Sequence, residues 1–244
     1  MSGLYLYAIV GRTPGERIGR GLQRAPLRVV RCGQLFVAVE DVEDHPAVTP
    51  KNLRAHDRVV RRLADAANAL LPVRFGTVVP SAAALARMLS PRQSDLRDAL
   101  SLVRGREQMT LRVYGRRDSE NVALVTARVE DSPTDGPGAR YLAGRQRAER
   151  ERTSVPEIDG LRPALGRFVR AERVERPSER AVQLARDTDP NAPPLVASVH
   201  HLIDRGAARA YKAAVRRATP AATGIQVLVR GPWPAYAFAP EAVA

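Results

Sequence analysis

The chain opens with Leu4-Tyr5-Leu6-Tyr7-Ala8-Ile9-Val10, an aromatic and aliphatic stretch that predicts a β-strand. A second pattern follows at residues 27–40, where two apolar segments flank Cys32-Gly33-Gln34 and predict a β-hairpin. Gly33 supplies the backbone freedom that the turn of this hairpin requires. The fold therefore begins with β-structure.

Residues 51–70 have the pattern of an amphipathic helix. Apolar or weakly polar side chains recur at spacings of three and four, and arginines occupy most of the other positions. The inward-facing set is His56, Val59, Val60, Leu63, Ala67 and Leu70. We expect Pro72 to end the helix and residues 73–79 to form a strand.

Two shorter helices are predicted after that strand. Ser81 is a natural N-cap for a helix that ends near Leu89. Ser90 followed by Pro91 starts another helix, which runs through Val103. Together with the preceding strands, these helices predict an N-terminal α+β domain at residues 1–106.

The second half, residues 107–244, predicts another α+β domain. A half-buried strand at 108–114 precedes an irregular insertion at about 115–138. We then expect helices at 141–152 and 156–174, a weak strand at 181–185, a strand at 195–203, a helix at 207–217 and a last strand at 225–229. Strand, helix, strand, strand, helix, strand is the order of a ferredoxin-like fold, here in modified form.

Length and composition exclude several classes of protein. The chain has 244 residues, 44% of them hydrophobic and 27% charged, which is typical of globular domains. Cys32 is the only cysteine, so no internal disulfide or cysteine-based zinc cluster can form, and a reducing cytoplasm fits. No stretch approaches the length of an apolar membrane span, and we expect a cytoplasmic protein.

The formal net charge of +13 allows two interpretations. All basic residues except Lys51 and Lys212 are arginine, a bias that GC-rich codon usage also produces. A functional interpretation is a polyanion or an acidic partner. The distribution of the charge decides between them.

The chain lacks a coherent set of catalytic or metal-binding residues. His200 and His201 are adjacent on a predicted strand and point to opposite faces, so they cannot chelate one metal ion. His56 lies on the apolar face of its helix, where a hydrogen-bonded core histidine is favoured over a catalytic base. Gly136-Pro137-Gly138 lacks the third glycine of a dinucleotide fingerprint. We expect no enzymatic activity, no cofactor and no metal.

Nucleic acid and protein partners remain as candidates. The 141–152 helix and its flank are rich in arginine, but the predicted strands offer few aromatics on which bases could stack. The C-terminal tail holds the only tryptophan and two further aromatics. These tail aromatics either pack over their own domain or anchor a partner.

Four motifs run in order from residue 4 to residue 238. They are the opening strand quoted above; Leu71-Pro72-Val73-Arg74-Phe75-Gly76-Thr77-Val78 after the helix with His56; Gly136-Pro137-Gly138 with Tyr141-Leu142 and a charged helix; and Gly231-Pro232-Trp233-Pro234. In this order they resemble the gas vesicle proteins of the GvpL/GvpF family. The second and fourth motifs are the most specific.

The resemblance implies a non-enzymatic accessory or minor structural protein of gas vesicle assembly. It implies two α+β domains, the C-terminal one a modified ferredoxin-like fold. Implied partners are the small hydrophobic shell protein GvpA and other accessory Gvp proteins, during nucleation and formation of the vesicle. The implied location is the cytoplasm, at the gas vesicle.

Candidate contact residues follow from the tail and the charged helix. Those for a protein partner are Trp233, Tyr236, Phe238, Arg140, Arg145 and Arg147. The motif residues Arg74, Phe75, Gly76 and Tyr141 favour structural roles, with Arg74 and Phe75 as a strand pair that locks the first domain. The alternative function is a basic nucleic-acid-binding regulatory protein, driven by the positive charge.

Overall fold

The computed structural model groups the chain into two compact units, each with its own sheet. The first unit contains residues 1–108, 202–206 and 232–244, and the second contains 109–201 and 207–231. Within these, the structure describes residues 3–12, 18–115, 155–178, 180–183, 193–219 and 225–240. The predicted insertion beyond Gly115 and the charged helix at 141–152 lie outside the described residues.

The first unit is built on a five-stranded sheet with β1 at its centre. Its strands are β1 (Gly3–Val10), β2 (Arg28–Cys32), β3 (Leu35–Val42), β4 (Leu70–Pro72) and β5 (Val78–Val79). Strand order is β2-β3-β1-β4, and β5 also pairs with β1. Every residue of β1 is buried, since the strand has neighbours on both edges and packing on both faces. The predicted opening strand and the hairpin around Gly33, whose φ is 64°, are confirmed.

Three helices belong to the first unit: α1 (Pro50–Ala66), α2 (Ala82–Leu89) and α3 (Gln93–Val103). The Thr49 side chain caps α1 by accepting a hydrogen bond from the Asn52 amide, and Ser81 caps α2 in the same way. A short 3₁₀ turn at Ser90–Arg92 leads into α3. The helix positions expected from the sequence are confirmed here, apart from one boundary.

That boundary is the end of α1, which comes at Ala66 rather than at Pro72. Leu70 and Leu71 lie in β4, where Leu71 is opposite Ile9 of β1. Pairing with a buried strand wins over continuation of the helical pattern. The strand predicted at 73–79 is confirmed only at Val78–Val79, which pair with β1, because Gly76 at φ 90° interrupts the segment.

The second unit has a four-stranded sheet of order β7-β8-β6-β9. Its strands are β6 (Arg106–Tyr114), β7 (Val169–Glu175), β8 (Leu195–Asp204) and β9 (Gln226–Trp233). A 3₁₀ helix at Pro156–Leu161 continues into α4 (Arg162–Leu165), and α5 (Ala208–Ala218) follows β8. The strands predicted at 108–114, 195–203 and 225–229 and the helix at 207–217 are confirmed.

Two predictions in the second unit are wrong. The helix expected at 156–174 ends at Leu165, and Gly166 caps it through its amide hydrogen bond to the Arg162 carbonyl. Residues 169–175 form β7, in which apolar and charged side chains alternate as far as Glu172. The strand expected at 181–185 is helical over residues 181–183, where the Ser178 carbonyl accepts from the Val182 amide.

The C-terminal aromatic segment groups with the first unit, whereas the sequence pattern predicted it in the domain at 107–244. We call residues 232–240 the tail segment. A 3₁₀ turn at Tyr236–Phe238 lies within it. No helix in the described ranges is long and apolar enough to cross a membrane.

A candidate interaction surface on helix α1

The centre of the first unit is a buried aromatic cluster around His56. The His56 ring stacks on Tyr7 at a centroid distance of 5.3 Å and meets Tyr5 and Phe75 edge-on, each at 5.7 Å. Tyr5 and Tyr7 are fully buried, and His56 is 4% exposed. Tyr5 and Tyr7 share a face of β1 by the alternation of a strand, and the bulge at Tyr7, between the pairs of Leu6 and Ala8, brings Ala8 into the same core cluster.

A chain of hydrogen bonds connects this cluster to the turn at residues 73–76. His56 Nε2 donates to the Val73 carbonyl at 3.1 Å, because that carbonyl can only accept. Its Nδ1 therefore accepts from the Tyr5 hydroxyl at 2.8 Å. The Tyr5 oxygen in turn accepts from the Gly76 amide at 3.2 Å. The turn is thus held at both ends through one neutral histidine.

Burial shifts the pKa values of these groups toward their neutral forms. Loss of water around the ring lowers the pKa of His56 from 6.5 to about 4. The same cause raises the pKa of Tyr5 to about 12 and moves that of Tyr7 upward as well. Both His56 nitrogens have internal partners, so the prediction of a packed, hydrogen-bonded core histidine is confirmed.

Glu40 is the second anchor of this cluster and is fully buried. Its carboxylate accepts hydrogen bonds from the Tyr7 hydroxyl at 2.5 Å and from the Leu22 amide at 2.8 Å. The amides of Gln23 and Ala25 donate to its other oxygen at 2.9 and 3.0 Å. One carboxylate thereby fixes the loop that precedes β2.

Above the cluster, the tail segment lies along α1. The Arg61 guanidinium lies over the Trp233 ring, 4.4 Å from its centroid. The Tyr236 hydroxyl reaches Asp57 Oδ1 at 3.5 Å. Further along, the Ala237 amide donates to Gln108 Oε1 at 2.8 Å. The tail aromatics are therefore ordered on the first unit.

The three tail aromatics differ in what they leave exposed. Phe238 is 1% exposed and serves the core, so it offers nothing to a partner. Tyr236 is half-buried and packs against the apolar core of the first unit. Trp233 is half-buried, and the Arg61 guanidinium lies over its ring face. Of the three, Trp233 is the best-placed contact residue.

The motif residues Arg74, Phe75 and Gly76 form the turn between β4 and β5, not a strand pair. Phe75 packs on Tyr5 and His56, whereas Arg74 is exposed. Both motifs thus contact helix α1. The 71–78 motif contacts it at His56, and the tail segment contacts it at Asp57 and Arg61. Arg140, Arg145, Arg147 and Tyr141 lie outside the described residues.

The outer side of α1 combines exposed apolar and basic side chains. Val48 is 80% exposed and Leu53 is 42% exposed, and they are the large apolar side chains most open to water among the described residues. Arg54 and Arg58 are exposed beside them. We call the set Val48, Leu53, Arg54, Arg58, Arg61 and Trp233 the α1–tail surface. Its acidic neighbour Asp57 is occupied by Arg61, whose Nε lies 2.7 Å away.

The second unit holds a polar network that is internal. His201 Nε2 donates to Glu172 at 2.8 Å, and the Tyr211 hydroxyl donates to His201 Nδ1 at 2.6 Å. The bond from His201, with Arg162 nearby, holds the pKa of Glu172 below its usual range. His200 faces the other way, toward Thr110 at 3.0 Å. The two histidines therefore lie on opposite faces of β8, as the sequence predicts.

Among the described residues, no group of three or more His, Cys, Asp or Glu side chains is placed so that it could hold a metal ion. A shallow groove between α4 and α5 has a floor of proline and alanine side chains with two arginines at its edge. Tyr211 and His201 are both buried and do not line this groove.

Known proteins match the chain over almost all of its length. The model of the family described as gas vesicle synthesis protein GvpL/GvpF matches residues 3–240. The chain belongs to the GvpL/GvpF family. A gas vesicle protein F from Streptomyces sp. (strain CB03234) is 27% identical over 247 residues, which cover 96% of this chain and 98% of that protein.

Solved structures of family members share the fold. The GvpF crystal structure from Anabaena sp. PCC7120 has a TM-score of 0.68 at 17% identity, covering 98% of this chain and 97% of that one. GvpF from Microcystis aeruginosa gives 0.66 at 14% identity, covering 97% and 98%. This member of the GvpL/GvpF family therefore has a mixed helix-and-strand architecture with two β-sheets.

Sequence reasoning missed the outer side of α1 in this family member. Leu53 falls outside the inward-facing set of the helix, and an isolated exposed leucine gives no signal by itself. Val48 precedes the helix and carries no periodic pattern. Only the placement of Trp233 over Arg61 makes these residues part of one surface.

Proposed function

We propose that this GvpL/GvpF-family chain is an accessory or minor structural protein of gas vesicle assembly. It binds the hydrophobic GvpA-type shell protein and other Gvp proteins during nucleation and formation of the vesicle. The family match over residues 3–240 supports the gas vesicle role. The protein acts in the cytoplasm, at the gas vesicle, without catalysis and without a cofactor.

The α1–tail surface is the observation that carries the binding role. A subunit that will face a gas space has an apolar surface that must be covered until it polymerises. Leu53 and Trp233 offer apolar contact area, and Arg54, Arg58 and Arg61 form a charged rim that limits self-association. This is the composition of a transient chaperone-like contact.

The candidate contact residues differ in how much apolar surface they offer to a partner. Trp233 is the main anchor, with Tyr236 supporting it from the half-buried side. Phe238 is a core residue. Arg140, Arg145 and Arg147 remain a predicted second contact on the charged helix.

We also propose that the second unit is a modified ferredoxin-like domain. Its first strand in chain order, β6, lies between the third and the fourth, which is the strand arrangement of a split βαβ unit. The first α+β domain then comprises residues 1–106 together with the tail segment.

Co-expression with a GvpA-type shell protein tests the proposal. Affinity capture of the tagged chain is washed at low and at high salt, for the wild type and for Trp233→Ala. We expect the wild type to retain shell protein through high salt and Trp233→Ala to bind at least about tenfold more weakly, as truncated aromatic anchors do.

Phe168→Ala is the matched control, because Phe168 has an equivalent contact with Arg167 at 4.6 Å in the second unit. An equal loss of shell-protein binding in the Trp233→Ala and Phe168→Ala variants would point to a general folding defect. Wild-type affinity in a folded Trp233→Ala variant would remove the tail from the binding site. Retained DNA or RNA that salt displaces, without shell protein, would favour the basic regulator instead.

A further inference from the structure

The α1–tail surface has apolar side chains on the helix and on the tail segment, namely Leu53 and Trp233. Leu53, Asp57 and Arg61 follow each other at intervals of four residues, and Trp233 stands on Arg61. At a rise of about 1.5 Å per residue, Leu53 and Arg61, the residue in contact with Trp233, are roughly 12 Å apart along the axis. This strip along α1 therefore has two apolar contact points, with the Asp57–Arg61 ion pair between them.

The exposed charges on α1 nearest Leu53 are positive. Arg54 and Arg58 are exposed, and the first turn of α1 contains no acidic residue. Asp57 is already paired with Arg61 and bonded to Tyr236. A partner that lies on the strip consequently meets uncompensated positive charge along its flank.

We propose that the α1–tail surface docks an acidic amphipathic helix of the partner. This inference rests on the proposed function and names the class of segment that the surface recognises. The docked helix places apolar side chains seven or eight residues apart on Leu53 and Trp233, and its acidic side chains face Arg54 and Arg58.

A helix fits this surface better than a strand or a bilayer. The main chain of α1 is hydrogen-bonded within the helix, so a partner cannot join it by adding a strand. Membrane-surface helices insert a continuous apolar face, whereas here the exposed apolar side chains are few and separated. Two helices pack along each other through such spaced side chains.

The single tryptophan gives a direct readout, because Trp233 is the only one in the chain. The full-length protein is titrated with a synthetic helical peptide of about 18 residues, matched in length to α1. The peptide lacks Trp and Tyr, carries leucines at i, i+4 and i+8, and has glutamates on both flanks. We expect a saturable blue shift of Trp233 emission.

Two further peptides test the chemistry of recognition. One has the same composition in scrambled order, and the other has lysine in place of each glutamate. Both are expected to bind at least about tenfold more weakly, because they lose the apolar register or the charge match. Equal binding of the scrambled peptide would overturn the inference.

Variants of the protein test the location. Arg54→Glu with Arg58→Glu is expected to weaken peptide binding about tenfold, and Leu53→Ser to weaken it several-fold. The control Arg87→Glu with Arg97→Glu changes the same net charge at exposed positions of α2 and α3. A control that loses as much affinity as the α1 variant would show nonspecific attraction and overturn the inference.

Two additional measurements separate this inference from the proposed function and from membrane binding. Vesicles of phosphatidylcholine with phosphatidylserine that shift Trp233 emission, when the acidic peptide does not, overturn the helix proposal. Shell-protein capture that survives the Arg54→Glu and Arg58→Glu changes overturns it too, while the proposed function stands. Specific peptide binding without any shell-protein capture supports the docking surface and contradicts the proposed function.

Discussion

Acidification should destabilise the first unit through His56, the histidine that holds the 73–76 turn. The ring is neutral when it donates to Val73 and accepts from Tyr5. The pKa of His56 is about 4 in the folded protein, and 6.5, its ordinary value, in the unfolded chain. Between these values the unfolded chain binds a proton that the folded chain does not.

The sign and size of the effect follow from this difference. The stabilisation is complete above pH 6.5 and is lost as the pH falls toward 4, where the folded ring also becomes protonated. Each pH unit in this window is worth about 1.4 kcal/mol, so we expect a loss of about 2 kcal/mol at pH 5 and about 3 kcal/mol in full.

Urea unfolding followed by Trp233 emission measures this loss, since Trp233 contacts Arg61 of the first unit. The free energy of unfolding is determined at several pH values between 7.5 and 4.5 for the wild type and for His56→Gln. Glutamine retains a donor and an acceptor but does not titrate. We expect the advantage of the wild type over the variant to shrink as the pH falls, and a constant difference would refute the reasoning.

Further substitutions have expected outcomes in urea unfolding followed by far-UV circular dichroism, a signal that does not depend on Trp233. Glu40→Ala removes the acceptor of Tyr7 and of three loop amides and should cost at least about 3 kcal/mol, with Glu40→Gln recovering part of it; a cost below 1 kcal/mol would contradict the role of the carboxylate. Gly76→Ala meets no neighbour within 4 Å but has φ 90°, so we expect a backbone cost of about 1–2 kcal/mol. An unchanged stability would mean that the turn adopts another conformation. Phe238→Ala should cost about 3–5 kcal/mol as a buried ring, whereas Trp233→Ala should cost about 1 kcal/mol. An equal loss of unfolding free energy in the two variants would contradict the assignment of Phe238 to the core and Trp233 to the surface.

Local patterns decided most of the elements in this chain. The opening strand, the hairpin at Gly33, the capped helices and the strand at 195–204 all carry periodicity or a capping residue that neighbours reinforce. Predictions were wrong where a pattern was ambiguous. The segment 169–175 contains three apolar and four charged residues, a pattern that fits either a helix or a strand, and the second sheet selected the strand.

The candidate site, too, could be predicted only in part from the sequence. The sequence alone identified the tail aromatics and the 71–78 motif as unusual, and it placed His56 in the core, because residue type and helical spacing carry that information.

Only the tertiary structure decided that the tail lies on α1, that Phe238 is buried, and that Leu53 joins Trp233 on one surface. The tail is held there by contacts of Arg61 with Trp233 and of Asp57 with Tyr236, which join residues more than 170 positions apart in the chain. Their formation depends on which surfaces remain uncovered after the sheets have paired, and no local pattern encodes that outcome.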